Sequence, residues 1–199
     1  ISEEHKFQRN KSAKNAIVIY TPGIALQTKN IPKLYENECV RIVYSGTLNA
    51  MHWSKELLPI IEDLCSSGRI IIDFYVSGSM VGQARKDLAH LQQICFHNPL
   101  SKSLYLDNMK NYNFGLILLS SASANAIFPS KLPGYLSVQL PIIAISANPN
   151  GLTKFVNLHN CGFSFTSENV DKDMLDYNIL RQKYPVWVRN SQHCFDEHF

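Results

Sequence analysis

Lys131 stands directly behind Pro129 and Ser130 and ahead of the apolar residues Leu132, Tyr135 and Leu136. Proline at a helix start has a suitable fixed φ and forfeits no useful N–H. A serine at the same place can accept hydrogen bonds from the free amides of the first turn. Pro129-Ser130-Lys131-Leu132 therefore predicts a short helix beginning at Pro129 or Ser130. Its open N–H groups and partial positive charge would point outward, and Lys131 would add a full charge at that mouth. A diphosphate is the kind of ligand such a place suits.

Other segments offer weaker chemistry. Gly46 and Thr47 end the strand-like run Val40 to Ser45. A glycine lets backbone approach a phosphate closely; Thr47 can donate a hydrogen bond but cannot neutralise charge as an arginine would. The other reading is a plain strand-to-helix turn. Ser77-Gly78-Ser79 closes the next run, where any crossover needs a turn. His97 and Asn98 follow a third run; His97 could meet a nucleotide base, although a lone histidine is more often a satisfied surface or core group. Ser120 to Phe128 is rich in Ser, Ala and Asn, including Asn125. Small residues let backbone amides face an anion, or simply make a linker.

For these residues to converge, the elements must bring them to one edge. Short apolar runs at 40–45, 70–76, 94–96, 114–119, 141–146 and 162–165 alternate with amphipathic segments. The helices expected between and after them are 54–66, closed by Gly68, then 81–92, 101–111 with Leu104, Leu106 and Met109 for packing, 152–159 and 170–183. A second C-terminal helix, 186–199, is expected after Pro185, with Val186, Trp187 and Phe195 left on an outer face. Nearly continuous apolar strands alternating with helices imply a parallel sheet covered on both faces. The fold class expected is α/β, a doubly wound, mainly parallel, six-stranded Rossmann-like sheet. Ligands of such a sheet bind beyond the carboxyl ends of its strands. Gly46, Thr47, Ser77, Gly78, His97 and the Ser130-Lys131 helix start all fall there. Ahead of the sheet, residues 1–16 read as a polar linker or N-terminal edge, Ile17 to Tyr20 as a short strand, and Lys29 to Glu38 as loop.

The stretch Phe128 to Leu136, followed by Gln139-Leu140-Pro141-Ile142-Ile143-Ala144-Ile145, resembles the sugar-nucleotide loop of retaining glycosyltransferases of the GT-B fold, family four in particular. The family pattern is roughly Pro-Ser-Lys-Leu, a Glu-Tyr pair, a small-residue turn and Pro-Val-Ile-Ala. This chain departs from it at Gly134, where the Glu is expected, and at Gln139, where Gly is usual. Gly46-Thr47-Leu48 takes the place of a Gly-Arg-Leu or Gly-Asn-Leu turn. Ala126, eight residues before Gly134, takes the place of a second Glu, so a carboxylate clamp on ribose has no support and no catalytic residue is assigned.

The resemblance implies that residues 17–199 are the nucleotide-sugar-binding half of such an enzyme, with the acceptor domain absent. Such an enzyme moves a hexose from a UDP- or GDP-sugar to a carbohydrate or lipid-linked acceptor with retention, as in polysaccharide biosynthesis. Gly46, Thr47, Ser130 and Lys131 would hold the diphosphate. Ser77, Gly78, His97, Asn125, Phe128, Pro129, Gly134 and Tyr135 are candidate nucleotide or sugar contacts. No metal or other cofactor is implied, since the helix end and Lys131 would meet the charge growing on the leaving diphosphate. The location implied is cytoplasmic, or the inner face of a membrane with peripheral contact. Transfer by this half alone is not expected. Two alternatives stay open: a non-catalytic domain of the same fold, which the missing Glu pair fits, and a sugar-nucleotide epimerase, which would normally keep acidic residues around the sugar.

Composition narrows the classes further. The 199 residues suffice for one good-sized α/β domain, and 45% hydrophobic content is ample for a core. A net charge of +3 lacks the strong basic face of a dedicated nucleic-acid binder. No apolar run approaches the ~20 residues of a membrane helix. No signal peptide is visible, and because the chain starts at Ile1 an upstream segment is expected. The five cysteines are scattered without a Cys-x-x-Cys pair, so reduced thiols are expected rather than a disulfide framework. His159 has no partner at metal-ligand spacing in the sequence, and no metal site is predicted.

Overall fold

The computed structural model describes residues 39–123 and 129–199. The expected N-terminal edge, the Ile17 to Tyr20 strand, the 29–38 loop, and the candidate contacts Asn125 and Phe128 lie outside the described residues. Six strands form one sheet: β1 Val40–Thr47, β2 Ile70–Ser77, β3 Ile94–His97, β4 Phe114–Leu119, β5 Ile142–Ser146 and β6 Gly162–Thr166. Their order is β3-β2-β1-β4-β5-β6, and every pairing is parallel. The order reverses between β1 and β4, which opens the crevice of a doubly wound sheet beyond their carboxyl ends.

The helices are α1 Leu58–Cys65, entered through a short 3-10 turn at Lys55–Leu57, α2 Val81–Asp87, α3 Lys102–Met109, α4 Lys131–Ser137, α5 Gly151–Leu158 and α6 Tyr177–His198. Alternation along the strands sends neighbouring side chains to opposite faces. Ile42, Tyr44, Ile72, Phe74, Phe114, Leu116 and Leu118 meet α1, α2 and the first half of α6. Val43, Ile117, Leu119, Ile142 and Ala144 meet α3, α4, α5 and the end of α6. Helix α6 therefore crosses from one core to the other. On the way Trp187 Nε1 donates to Asn160 Oδ1 at 3.0 Å, and Asn190 Nδ2 donates to the Asn160 carbonyl at 2.9 Å.

Several boundaries differ from those read in the sequence. Pro185 does not divide the last segment: it sits inside one helix of 22 residues. A proline removes one N–H and strains one turn, but here Tyr184, Trp187 and Val188 are all buried around it, and that packing carries the helix through. That packing also buries Trp187, the second core buries Phe195, both of which were expected outside, and Val186 is 39% exposed. The helix begins at Tyr177 instead of 170 because the Asp176 carboxylate accepts from the amides of Asn178 and Ile179. Helix α2 ends at Asp87, whose carboxylate is taken up by Trp53 Nε1 at 3.1 Å and Gln83 Nε2 at 2.7 Å. In α3, Met109 is buried as expected, whereas Leu104 is 60% exposed.

Candidate functional site

The turn after β1 is clamped by the turns on either side of it. The Leu48 amide donates to the Ser77 carbonyl at 2.7 Å, and the Met80 amide returns to the Leu48 carbonyl at 3.0 Å. On the other flank the Ser120 amide donates to the Met51 carbonyl at 2.9 Å, and the Ser121 amide donates to Glu56 Oε1 at 2.7 Å. Burial alone would push the Glu56 carboxyl up, but hydrogen bonds from Ser121 and Ser54 hold it below its ordinary value. Three strand ends are thus locked into one rim.

Lys131 enters this rim from the first turn of α4. Its Nζ lies 3.7 Å from the centroid of the Tyr44 ring and about 4.0 Å from where a side chain on Gly46 would begin. The stem keeps some solvent contact, but Nζ itself is shielded and has no hydrogen-bond partner among the described residues. Burial pulls the Lys131 amine down from 10.5 to about 7. His52 is beside it: its Nδ1 is likewise shielded and without a partner among the described residues. Burial first, then the neighbouring Lys131 charge, pushes the His52 imidazole down to about 4. A cation left without a counter-charge in a half-dry place is costly. An anion arriving there would supply the missing hydrogen bonds and stabilise the protonated amine.

Gly46 and Thr47 are both exposed at the end of β1; the fold brings Gly46 to Lys131, while the Thr47 carbonyl accepts from the Tyr44 hydroxyl at 2.8 Å. Pro129 is buried and Ser130 exposed at the same helix start. Ser130 does not cap: its backbone is already helical (φ −61°, ψ −18°) and its side chain makes no cap hydrogen bond, because a capping side chain needs an extended backbone to fold back.

Other predicted contacts are taken up by the fold itself. Tyr135 is fully buried: its hydroxyl accepts from the Ser45 amide at 2.9 Å and its ring lies where a side chain on Gly115 would be. Tyr135 is therefore a core group that joins α4 to the sheet, not a ligand contact. Ser77 is exposed at the end of β2. Gly78 has φ +121°, and a Cβ there would sit 2.5 Å from the Leu48 carbonyl oxygen, so it serves the packing of two turns. Gly134 lies within α4 and faces Tyr105, whose hydroxyl would be 3.3 Å from an added Cβ. The pattern's usual glycine before the last strand is Gln139, which adopts φ 59° and donates to Gln192 on α6.

His97 is engaged elsewhere. Its Nε2 is 2.6 Å from Asp73 Oδ1 and its ring stacks on Tyr75 at 4.6 Å. Asp73 also accepts from Arg41 Nη2 at 3.1 Å and from the Tyr112 hydroxyl at 3.0 Å. Asp73 is 5% exposed, so it is structural and not solvated. Sequence reasoning missed His52 and Tyr44. Tyr44 reads simply as a strand residue, and His52 as a lone histidine in a loop; only their convergence on Lys131 marks them.

No protein-family model matches the chain, and no curated protein matches it. Solved structures do. HepE from Anabaena, determined in complex with UDP and glucose, superposes with a TM-score of 0.60 at 14% identity, over 81% of this chain and 45% of that one. The lipopolysaccharide outer core galactosyltransferase WaaB gives 0.57 at 14% identity, over 99% of this chain and 60% of that one. The C-terminal domain of a group 1 glycosyl transferase, LpcC from Francisella tularensis, gives 0.54 at 13% identity, with 83% and 85% covered. At these identities the likeness is one of fold. The chain has the Rossmann-like α/β fold of the C-terminal domain of GT-B glycosyltransferases, and it spans less than half the length of neighbours such as HepE. No helix among the described residues is long and apolar enough to cross a membrane.

Proposed function

We propose that this chain is the donor-binding half of a sugar-nucleotide-dependent glycosyltransferase, with the nucleoside diphosphate seated beyond the carboxyl ends of β1 and β4. The observation that carries this reading is the shielded Lys131 Nζ beside Gly46, which has no hydrogen-bond partner among the described residues. In transfer, the bond between the sugar's anomeric carbon and the diphosphate breaks with its electron pair left on the phosphate oxygen. Protonated Lys131 opposes the charge that grows there, in a site partly closed to water. Thr47, exposed at the end of β1, and Ser130, exposed at the start of α4, would border the same diphosphate in this reading. Neighbours of the same fold described with UDP and with UDP-glucose support a nucleotide sugar as the ligand class. A hexose donor, retention at the anomeric carbon, and a carbohydrate or lipid-linked acceptor held by a separate domain belong to this proposal. So do the likeness to family four, independence from metal, and a cytoplasmic or membrane-face location.

Gly134 and Ala126 favour a second reading, a domain of the same fold without catalysis, because neither supplies the carboxylate the family pattern carries. One titration separates the two. UDP, GDP and their sugars are titrated calorimetrically into the chain. A donor-binding half binds at least one diphosphate, and binding weakens in Lys131→Met. Absence of any nucleotide binding would leave the non-catalytic reading.

A further inference from the structure

His159 closes the carboxyl end of α5, while Glu197 and His198 belong to the last turn of α6. Crossing beneath the sheet, α6 brings these distant positions together: one ligand atom from each lies within 4.8 Å of the other two. We propose that His159, Glu197 and His198 form a binding site for a divalent transition-metal ion of the zinc class, at the amino-end rim of the sheet and independent of the Lys131 site.

Two imidazoles and one carboxylate are a ligand set that borderline ions such as zinc prefer over magnesium or calcium, which favour oxygen alone. In a tetrahedral site with bonds of ~2.1 Å, ligand atoms stand about 3.4 Å apart. Contracting a triangle of 4.8 Å edge to that size moves each atom by under ~1 Å, which side-chain rotation supplies within a rotamer well. The surroundings prepare the geometry. The His159 and His198 rings meet edge to face at 4.6 Å. Phe155 packs against both, at 4.4 and 5.5 Å, and limits their rotation. His198 Nε2 is shielded from solvent. His193, one turn before Glu197, sits 3.1 Å from its Oε1, which orients the carboxylate from outside in the manner of an outer-shell partner. Three protein ligands leave a fourth position for water or for a group from another molecule. The bound ion would pin the end of α6 to α5.

The test uses the 199-residue chain with zinc and cobalt salts. Cobalt(II) should give visible ligand-field bands without a thiolate charge-transfer band. Zinc, but not magnesium, should raise the thermal midpoint. His159→Asn and His198→Gln should each lower zinc affinity by more than the roughly 10- to 100-fold that losing an outer-shell partner brings. His193→Gln should fall within that smaller range. His90→Gln, which touches the separate His90–Glu62 pair, should leave binding unchanged. The proposal is overturned if the unmodified chain gives no cobalt ligand-field bands or a thiolate band from Cys39 or Cys95. It is overturned equally if zinc affinity survives His159→Asn and His198→Gln, or depends on His90.

Discussion

Lys131→Met should move stability and ligand affinity in opposite directions. Methionine keeps most of the stem's packing and removes the charge. The folded chain holds the amine at about 7, against an ordinary 10.5; at about 1.4 kcal/mol per tenfold change, its charged form is disfavoured by at most ~5 kcal/mol. Contact of the stem with water screens part of that, and the Tyr44 ring face at 3.7 Å offsets a further ~1 kcal/mol. The net expectation is that Lys131→Met stabilises the fold by ~1–3 kcal/mol near neutral pH, read as a higher urea midpoint at unchanged slope. The same change removes a charge-assisted bond to the diphosphate worth ~1.5–3 kcal/mol, so UDP affinity should fall roughly ten- to a hundred-fold by calorimetry. A variant that is less stable and binds UDP as before would refute both the strain assigned to Lys131 and its place in the site.

The same amine sets a pH dependence. The unfolded amine keeps its proton up to about 10.5 while the folded one releases it near 7. The unfolded chain therefore binds more protons between these values, and this group makes stability rise with pH across that window; Lys131→Met should flatten the rise. Binding of a diphosphate favours the protonated amine, so calorimetry at pH 8 in buffers of different ionisation enthalpy should show proton uptake. Proton release, or none, would contradict it. Gly78→Ala places a Cβ against the Leu48 carbonyl at a positive φ and should cost ~2 kcal/mol or more in urea unfolding; a neutral result would mean that the two turns are not packed as described. Tyr135→Phe leaves the buried Ser45 amide without its acceptor and should cost ~1–3 kcal/mol. UDP affinity should not change in that variant, and a loss of nucleotide binding at normal stability would return Tyr135 to the ligand site.

What the sequence by itself determined is the architecture and the single strongest anion candidate. Alternating runs such as Ile70 to Val76 and Phe114 to Leu119 can bury both faces only in a covered parallel sheet. Proline and glycine punctuation then placed the turn at Gly46 and the helix start at Pro129 on the same edge. Tertiary structure decided which side chains at that edge are still available. Gly78 and His97 at strand ends and Tyr135 in the helix behind Lys131 carry the right residue types, yet Leu48, Asp73 and Ser45 engage them. Local pattern is silent on partners more than twenty residues away. For the same reason the sequence did not single out His52, or the approach of His159 to His198. Both depend on where separate segments come to rest, α4 against the end of β1 and α6 beneath the sheet. Pro185 is the same lesson in reverse: its local preference is to end a helix, and the burial of Tyr184, Trp187 and Val188 on both sides of it outweighs that preference.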